Sequence, residues 1–312
     1  MSVRIIGTGS YLPKKVADNN FLSTIVDTDD EWIRQRTGIK ERHLSNGKEG
    51  TTYMAAHAAE AALENAGIGA DELDMIIVAT VSADTYVPST SCSVQGAIGA
   101  IRATCFDINA ACSGFLFALN TADAYLRMGL AENALIIGSE VLSKLVDWTD
   151  RSSCILFGDG AGAVVVEQCG TESRAVEYGN ALPVVEEKRI PAAGILGRAL
   201  HSDGTGGGVL QCGARELTTP YARTSAAKTD QNQPTNDREH YIQMDGQEVY
   251  RFATRRVPQC IEEALSDAGL AVPDIDMFVL HQANARIIDA VAKRLHADRD
   301  KFPTNLERVG NM

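Results

Sequence analysis

No stretch of this chain offers the roughly 18 consecutive apolar residues that a membrane span requires. Its opening, MSVRIIGTGSYLP, lacks the charged-then-apolar layout of a secretory leader. Cysteine occurs seven times, an odd number, and never as C-x-x-C. That argues against a disulfide framework and against a zinc site. Basic residues are outnumbered, 29 against 41 acidic, for a net charge of −12. Phosphate backbones are repelled by such a surface, which argues against a nucleic-acid partner. Aromatic residues make up only 6%. The absences together describe a cytoplasmic chain with reduced thiols, no metal, no membrane and no nucleic acid. The acidic surface itself reads as a solubility feature.

What remains is ordinary for a globular protein: 312 residues, 45% hydrophobic and 22% charged, with 27 glycines. At roughly 150 residues per domain the length suggests two units. An internal repeat says how they are related. Setting each position against the one 202 residues later aligns ALENAGIGADELDMIIV (62–78) with ALSDAGLAVPDIDMFVL (264–280). Ala62/Ala264, Leu63/Leu265, Ala66/Ala268, Gly67/Gly269, Asp74/Asp276 and Met75/Met277 are identical, and no gap is needed. Each copy reads as an Ala-rich helix, a glycine C-cap, a short loop and a fully apolar strand. A strand without alternation is buried on both faces, as in a sheet covered by helices.

Further strands are expected at 3–9, 104–109, 134–140 and 161–167, and helices around 51–66, 89–99 and 112–129. The chain thus divides into an α/β half, 1–170, and a second half, 171–312. A polar excursion at about 213–240, rich in Thr, Asn, Gln, Asp and Arg, interrupts the second half. Segments of that length and composition are either functional or disordered.

The sequence TCFDINAACSGF runs from an apolar strand through Ala-Ala-Cys112-Ser113-Gly114 into a helical pattern. Cys112 therefore falls at a helix N-terminus, where free N–H groups and the positive dipole end favour a thiolate. Small neighbours leave room for a carbonyl beside its sulfur. Cys92, Cys105, Cys154, Cys169, Cys212 and Cys260 carry no such context and read as buried structural thiols. His281 ends the second apolar strand, where α/β folds place their chemistry. Asn311 follows a glycine near the C-terminus. Cys, His and Asn from the two halves are expected to meet at their junction.

The segments DTDDEWIRQRTGIKER (27–42), NAACSGF (109–115), FGDGAGAVV (157–165), HSDG (201–204) and HQANARI (281–287) form a specific set. On these the chain resembles β-ketoacyl-acyl carrier protein synthase III, an initiating condensing enzyme of the thiolase-fold type, along essentially its whole length. The resemblance implies a thiolase-like five-layer αβαβα fold built from two duplicated halves. It implies that Cys112, His281 and Asn311 are catalytic and that the reaction is ping-pong. An acyl-CoA primer acylates the cysteine, malonyl-acyl carrier protein loses CO₂, and the carbanion attacks the acyl-enzyme. No metal or organic cofactor is implied; acyl-CoA and malonyl-acyl carrier protein are substrates.

By the same resemblance CoA contacts fall to Thr28, Trp32, Arg36, Arg151, Gly246 and Asn284. Trp32 would stack on adenine, with Arg151 on its other side and Arg36 on a phosphate. Trp32 and Arg36 share a face if their segment is helical. The acyl pocket falls to Leu142, Phe157, Met244 and Tyr250, with Val87 reaching in from the partner of a homodimer. Arg286, Lys293 and Arg294, on one helical face, would dock the acidic carrier protein. GDGAGA (158–163) leads into a strand rather than a helix and reads as close backbone packing, not a phosphate loop.

The halves differ in length. The first continues from Cys112 to Glu167, about 55 residues; after Asn311 there is only Met312. The second half is therefore expected to lack its last helix and strands, to expose apolar faces and unpaired edges, and to condense poorly. Other readings are an inactive acyl-CoA-binding remnant, a cysteine hydrolase, and a hydroxymethylglutaryl-CoA or polyketide-starter synthase. Retention of Cys112, His281 and Asn311 argues against the remnant. The duplication and the Trp32/Arg36 segment argue against the hydrolase.

Overall fold

The computed structural model describes residues 2–169, 194–214 and 240–312. The elements run β1 (Ser2–Tyr11), β2 (Lys15–Asp18), α1 (Asn19–Ser23), α2 (Asp30–Thr37), β3 (Glu41–Leu44), α3 (Thr51–Ala66), β4 (Met75–Ala79), α4 (Thr90–Ile98) and β5 (Thr104–Ile108). They continue with α5 (Gly114–Arg127), β6 (Asn133–Val141), β7 (Asp159–Cys169), β8 (Leu210–Gln211), β9 (Gln243–Met244), α6 (Gly246–Ala268), α7 (Ala285–Arg294) and α8 (Leu306–Val309).

Five strands form one sheet in the order β1-β7-β6-β4-β5. β4 lies parallel to β5 and β6, while β7 runs antiparallel to both β6 and β1. Every residue of β4 is buried, as its unbroken apolar run requires. The pleat then sorts side chains by parity. Ile76, Val78, Leu135 and Ile137 pack under α3 and α4. Met75, Ile77, Ala134 and Ile136 pack under α5 with Ala118, Ala122 and Leu126. Burying each of these larger aliphatic side chains contributes about 1.5–3 kcal/mol. Among the described residues no helix is long and apolar enough to cross a membrane.

The alanines of α3 let it sit almost on the backbone of β1. A Cβ on Gly7 would come 2.4 Å from the Ala62 carbonyl oxygen, and one on Gly9 would come 2.2 Å from that of Ala58. The same seat recurs in the second half. A Cβ on Gly197 would lie 2.2 Å from the Ala264 oxygen and 2.7 Å from the Ala268 nitrogen, the repeat partners of Ala62 and Ala66. Both helices end in a left-handed glycine of the same geometry, Gly67 and Gly269, φ 71° and ψ 28°. In each, the next residue closes the turn: Ile68 N donates to Leu63 O and Leu270 N to Leu265 O, at 3.3 and 2.9 Å. The repeat is thus a repeat of packing as well as of letters.

The second apolar run departs from expectation. Residues 276–280 are not a doubly buried strand: Phe278 is 6% exposed, but Met277 is 60% and Val279 77% exposed. Phe278 packs on Phe302, Ile288 and Val291 of α7, and its N–H donates to Lys301 O at 2.8 Å. The outer face has no covering layer among the described residues, so alternation replaces full burial. In the first half that cover comes from α5, together with β6 and β7 beside it. Two boundaries also shift. α5 begins at Gly114 after a 3₁₀ turn over Ala111–Ser113, and α4 runs 90–98 between the Ser89 cap and Gly99. The polar excursion lies outside the described residues but for Gly213, Ala214 and His240.

The glycine seat gives a direct expectation. Gly7→Ala should lower the unfolding free energy by about 3 kcal/mol through overpacking. Gly96→Ala, exposed on α4 with nothing within 4 Å of its Cβ, should raise it by up to about 1 kcal/mol. Urea denaturation of the two variants checks both signs.

Candidate active site

One open cleft of ≈ 3040 Å³ is lined by residues of both halves, including Cys112, His281 and Asn311. The three side chains picked out from the sequence are therefore brought to a common space. Each arrives there by a different local device.

Cys112 sits in the turn between β5 and α5. Ala111 before it is held at φ 45°, a left-handed conformation that costs a non-glycine residue energy and is common where a nucleophile is presented. Behind the turn a Cβ on Gly114 would lie 3.0 Å from the Ala79 Cβ, so the helix start rests directly on β4. Desolvation pushes the Cys112 thiol up, its own backbone N–H pulls it down, and the charge of Glu140 adds to the rise. Cys112 is exposed to the cleft, yet the protein packed around its turn and the nearby Glu140 carboxylate outweigh the helix N-terminus and hold the thiol above its ordinary range.

His281 follows the extended 276–280 segment and faces the cleft. Desolvation lowers its pKa from the ordinary 6.5, and a hydrogen bond with the Asn311 side chain opposes that shift. The shift favours the neutral ring, although the side chain itself is exposed to the cleft. Asn311 is fixed by its backbone: its N–H donates to Leu156 O at 2.9 Å, and its carbonyl accepts from Gly158 N at 2.8 Å. The crossing is tight. A Cβ on Gly158 would come 2.4 Å from Val309 O, and Gly310 adopts φ 73°. GDGAGA is therefore close backbone packing leading into β7, as its sequence context indicated.

Along one arm of the cleft, α2 opens on Asp29, whose carboxylate accepts from Trp32 N at 2.7 Å, and closes on left-handed Gly38. Trp32 and Arg36 share a face: the Arg36 guanidinium lies 4.2 Å from the indole centroid. The Arg151 guanidinium is 5.1 Å from the same centroid and donates to Asp27 O at 2.8 Å. Thr28 Oγ1 is buried with no hydrogen-bond partner. Asn284 caps α7 and donates to Arg36 O at 3.1 Å, while Arg286 donates to Gln35 O at 2.7 Å. Gly246 is the first residue of α6, its nearest neighbour the Met244 Cε at 3.9 Å.

Leu142 and Phe157 are buried in one cluster, against which Met244 packs. Tyr250 lines the cleft at 39% exposure. Val87 is not among the residues lining this chain's cleft and is 87% exposed. Arg286, Lys293 and Arg294 are exposed on α7, although Arg294 also donates to Thr254 O at 3.0 Å.

Of the remaining cysteines, Cys154 is buried, and desolvation raises its thiol to about 11. Cys92 and Cys212 are exposed and Cys105 and Cys260 half-buried, so the reading of buried structural thiols holds for Cys154 alone among them. The side chain of Cys169 lies outside the described residues.

Two groups, Glu140 at the cleft and Asp123 buried behind it, went unnoticed in the sequence. Glu140, at the end of β6, accepts from Val81 N at 2.8 Å, Thr80 Oγ1 at 3.3 Å and the Ser82 hydroxyl. Burial raises its pKa and these donors pull it back. Asp123, fully buried on α5, binds Arg127 at 2.8 Å and Arg198 at 2.5 Å, joining the nucleophile's helix to the second half. Both were marked by a lone carboxylate inside an apolar pattern, GSEV and ALNTADAYL.

A cysteine on a strained turn and a histidine paired with an asparagine share one cleft of an α/β fold with a duplicated helix seat, the features of a thiolase-type condensing enzyme. The profile of 3-oxoacyl-(acyl-carrier-protein) synthase III matches residues 106–182, and that of its C-terminal region matches 265–312. A β-ketoacyl-(acyl-carrier-protein) synthase III of Clostridium acetobutylicum is 45% identical over 310 residues, 99% of this chain and 86% of that one. The crystal structure of 3-oxoacyl-(acyl-carrier-protein) synthase III from Aquifex aeolicus is 40% identical with a TM-score of 0.82, covering 99% of this chain and 86% of its own. The priming β-ketosynthase of the R1128 polyketide pathway is 31% identical with the same TM-score, covering 100% and 84%. The chain belongs to the 3-oxoacyl-(acyl-carrier-protein) synthase III family.

The lowered His281 pKa fixes the sign of a pH effect. Between 6.5 and the lower folded value the unfolded chain binds the extra proton. Stability therefore rises with pH across that window and is lost as the pH falls through it. Denaturant melts of the parent and His281→Ala at pH 7 and 5 should show a smaller acid loss in the variant, and the ring's NMR titration should fall below 6.5.

Proposed function

We propose that this chain is a β-ketoacyl-acyl carrier protein synthase III that condenses an acyl-CoA primer with malonyl-acyl carrier protein. The carrying observation is the convergence of Cys112, His281 and Asn311 on one cleft, with Asn311 hydrogen-bonded to His281. The nucleophile comes from the half 1–170; the histidine and asparagine come from 171–312.

The sulfur of Cys112 attacks the thioester carbonyl of acyl-CoA. The C–S bond to CoA breaks, and the thiol proton leaves on the departing CoA sulfur. One difficult acyl transfer becomes two easier ones. In the second half-reaction malonyl-acyl carrier protein loses CO₂, and its electron pair passes onto the thioester oxygen as an enolate. The neutral His281 N–H and the Asn311 amide N–H donate to that oxygen, an arrangement worth about 10²–10³ in rate per donor. The enolate carbon then attacks the acyl-Cys carbonyl and expels the Cys112 thiolate, releasing the 3-ketoacyl product. Neither step calls for a metal or an organic cofactor.

CoA recognition is assigned to Thr28, Trp32, Arg36, Arg151, Gly246 and Asn284; the unpartnered Thr28 hydroxyl and the cation-flanked indole support this. Leu142, Phe157, Met244 and Tyr250 line the acyl pocket. Val87 and Tyr86, 87% and 83% exposed, support a homodimer in which Val87 enters the partner's pocket. The exposed cations Arg286, Lys293 and Arg294 serve carrier-protein docking, and the cytoplasm is the proposed compartment.

Intact-mass measurement after mixing with a panel of acyl-CoAs tests the reading. An acyl adduct should form on the parent and not on Cys112→Ala; no adduct from any acyl-CoA would refute it. Trp32→Ala should raise the KM for acyl-CoA about tenfold with kcat little changed, the size expected for a lost stacking face of about 1–2 kcal/mol.

A further inference from the structure

Arg42, on β3, is completely buried. Its hydrogen-bond partners are three neutral oxygens from two stretches of chain: Ala17 O at 3.2 Å and Asn19 Oδ1 at 2.9 Å on one side, and Ile155 O at 2.8 Å on the other. Its Nε is buried without a partner. Burial lowers its pKa only to about 10, so the side chain remains a cation at pH 7. Burying a charge on neutral dipoles is costly, and an apolar residue of similar volume is often the more stable solution. The cation therefore calls for an explanation other than stability.

Its surroundings supply one. A Cβ on Gly158 or on Gly310 would each come 3.2 Å from the Arg42 Cβ. Those glycines flank the crossing at which Asn311 pairs with Leu156 and Gly158. Two residues before Arg42, Lys40 N donates to Glu307 O at 2.9 Å, anchoring α8, which leads into Asn311. On the other side Asn19 donates to Asp30 Oδ1 at 2.9 Å, at the start of the helix that carries Trp32. The guanidinium thus ties the Asn311 crossing to the Trp32 arm. None of its hydrogen bonds reaches the Ala111–Ser113 turn.

We infer that Arg42 is a positioning residue for Asn311, holding its side chain on His281 through the Ile155–Gly158 segment and so serving the decarboxylation half-reaction but not the acylation of Cys112. The inference rests on the acyltransferase reading above. A lysine keeps the charge but cannot reach three oxygens in the planar fork of a guanidinium.

The test compares the two half-reactions in the same variants. Arg42→Lys should leave the rate of Cys112 acylation, followed by intact mass, within about threefold of the parent. It should lower condensation with malonyl-acyl carrier protein by about 10²-fold, the size of effect expected from a misplacement near 1 Å. Asn19→Ala removes one acceptor and keeps the guanidinium, but it also releases Asp30 and Ile39 O beside the Trp32 arm; read at saturating acyl-CoA, where a weakened arm shows only in KM, it should give the same split at about tenfold, and it decides the matter if Arg42→Lys does not fold. In either variant the His281 ring should titrate lower than in the parent, because the Asn311 hydrogen bond that raises its pKa is loosened. Acylation and condensation falling in proportion would overturn the inference by reducing Arg42 to a general structural role; so would no change in either. A parent that forms no acyl adduct would instead overturn the acyltransferase reading on which the role of Arg42 depends.

Discussion

The exchange of backbone hydrogen bonds between Asn311 and the Leu156–Gly158 segment is the constraint on which the site depends. It joins a residue next to the C-terminus to the loop ahead of β7, the strand that fills the sheet between β1 and β6. Two glycines make it possible. At Gly158 any side chain would strike Val309 O, and at Gly310 the backbone needs a positive φ. Once the crossing is set, Asn311 meets His281, and both share the cleft with Cys112. The site is therefore less a property of any one element than of how closely two stretches of main chain approach.

The same principle, backbone brought against backbone by small residues, builds the scaffold. Gly7 and Gly9 under α3, and Gly197 under α6, seat an alanine-rich helix on a neighbouring extended segment in each half. Asp123, with Arg127 and Arg198, joins α5 to the second half by charge instead.

Much of this was legible in the residues. The unbroken MIIVA run predicts a strand covered on both faces, and β4 is one. The A-G step at 66–67 predicts the end of α3 to the residue. Cys112 stood out at a strand-to-helix turn among small residues and His281 at the end of an apolar run, whereas Asn311 was marked only by the glycine before it and by the resemblance. The 276–280 run misled because a sequence pattern reports what a strand is suited to, not whether a neighbour covers it. The thiol of Cys112 misled for a related reason: the helix N-terminus is local and visible, whereas the burial and the Glu140 carboxylate that oppose it come from elsewhere in the fold. Arg42 was invisible for the opposite reason. An arginine in the polar string KERHLS gives no sign that three distant carbonyl-type oxygens will enclose it.

The indole of Trp32 is already clad in the free protein, with one guanidinium 4.2 Å and another 5.1 Å from its centre. A planar ring that comes to stack on a face held by one of them must first displace that cation. It gains a π-face only by turning out a cation, so recognition at this point is an exchange of partners whose net gain is a difference between two similar attractions. The displaced guanidinium is released beside the incoming molecule, free to meet any negative charge that molecule carries. Selectivity then falls to ligands that bring a flat ring and an anion together, since either alone would leave the exchange nearly balanced.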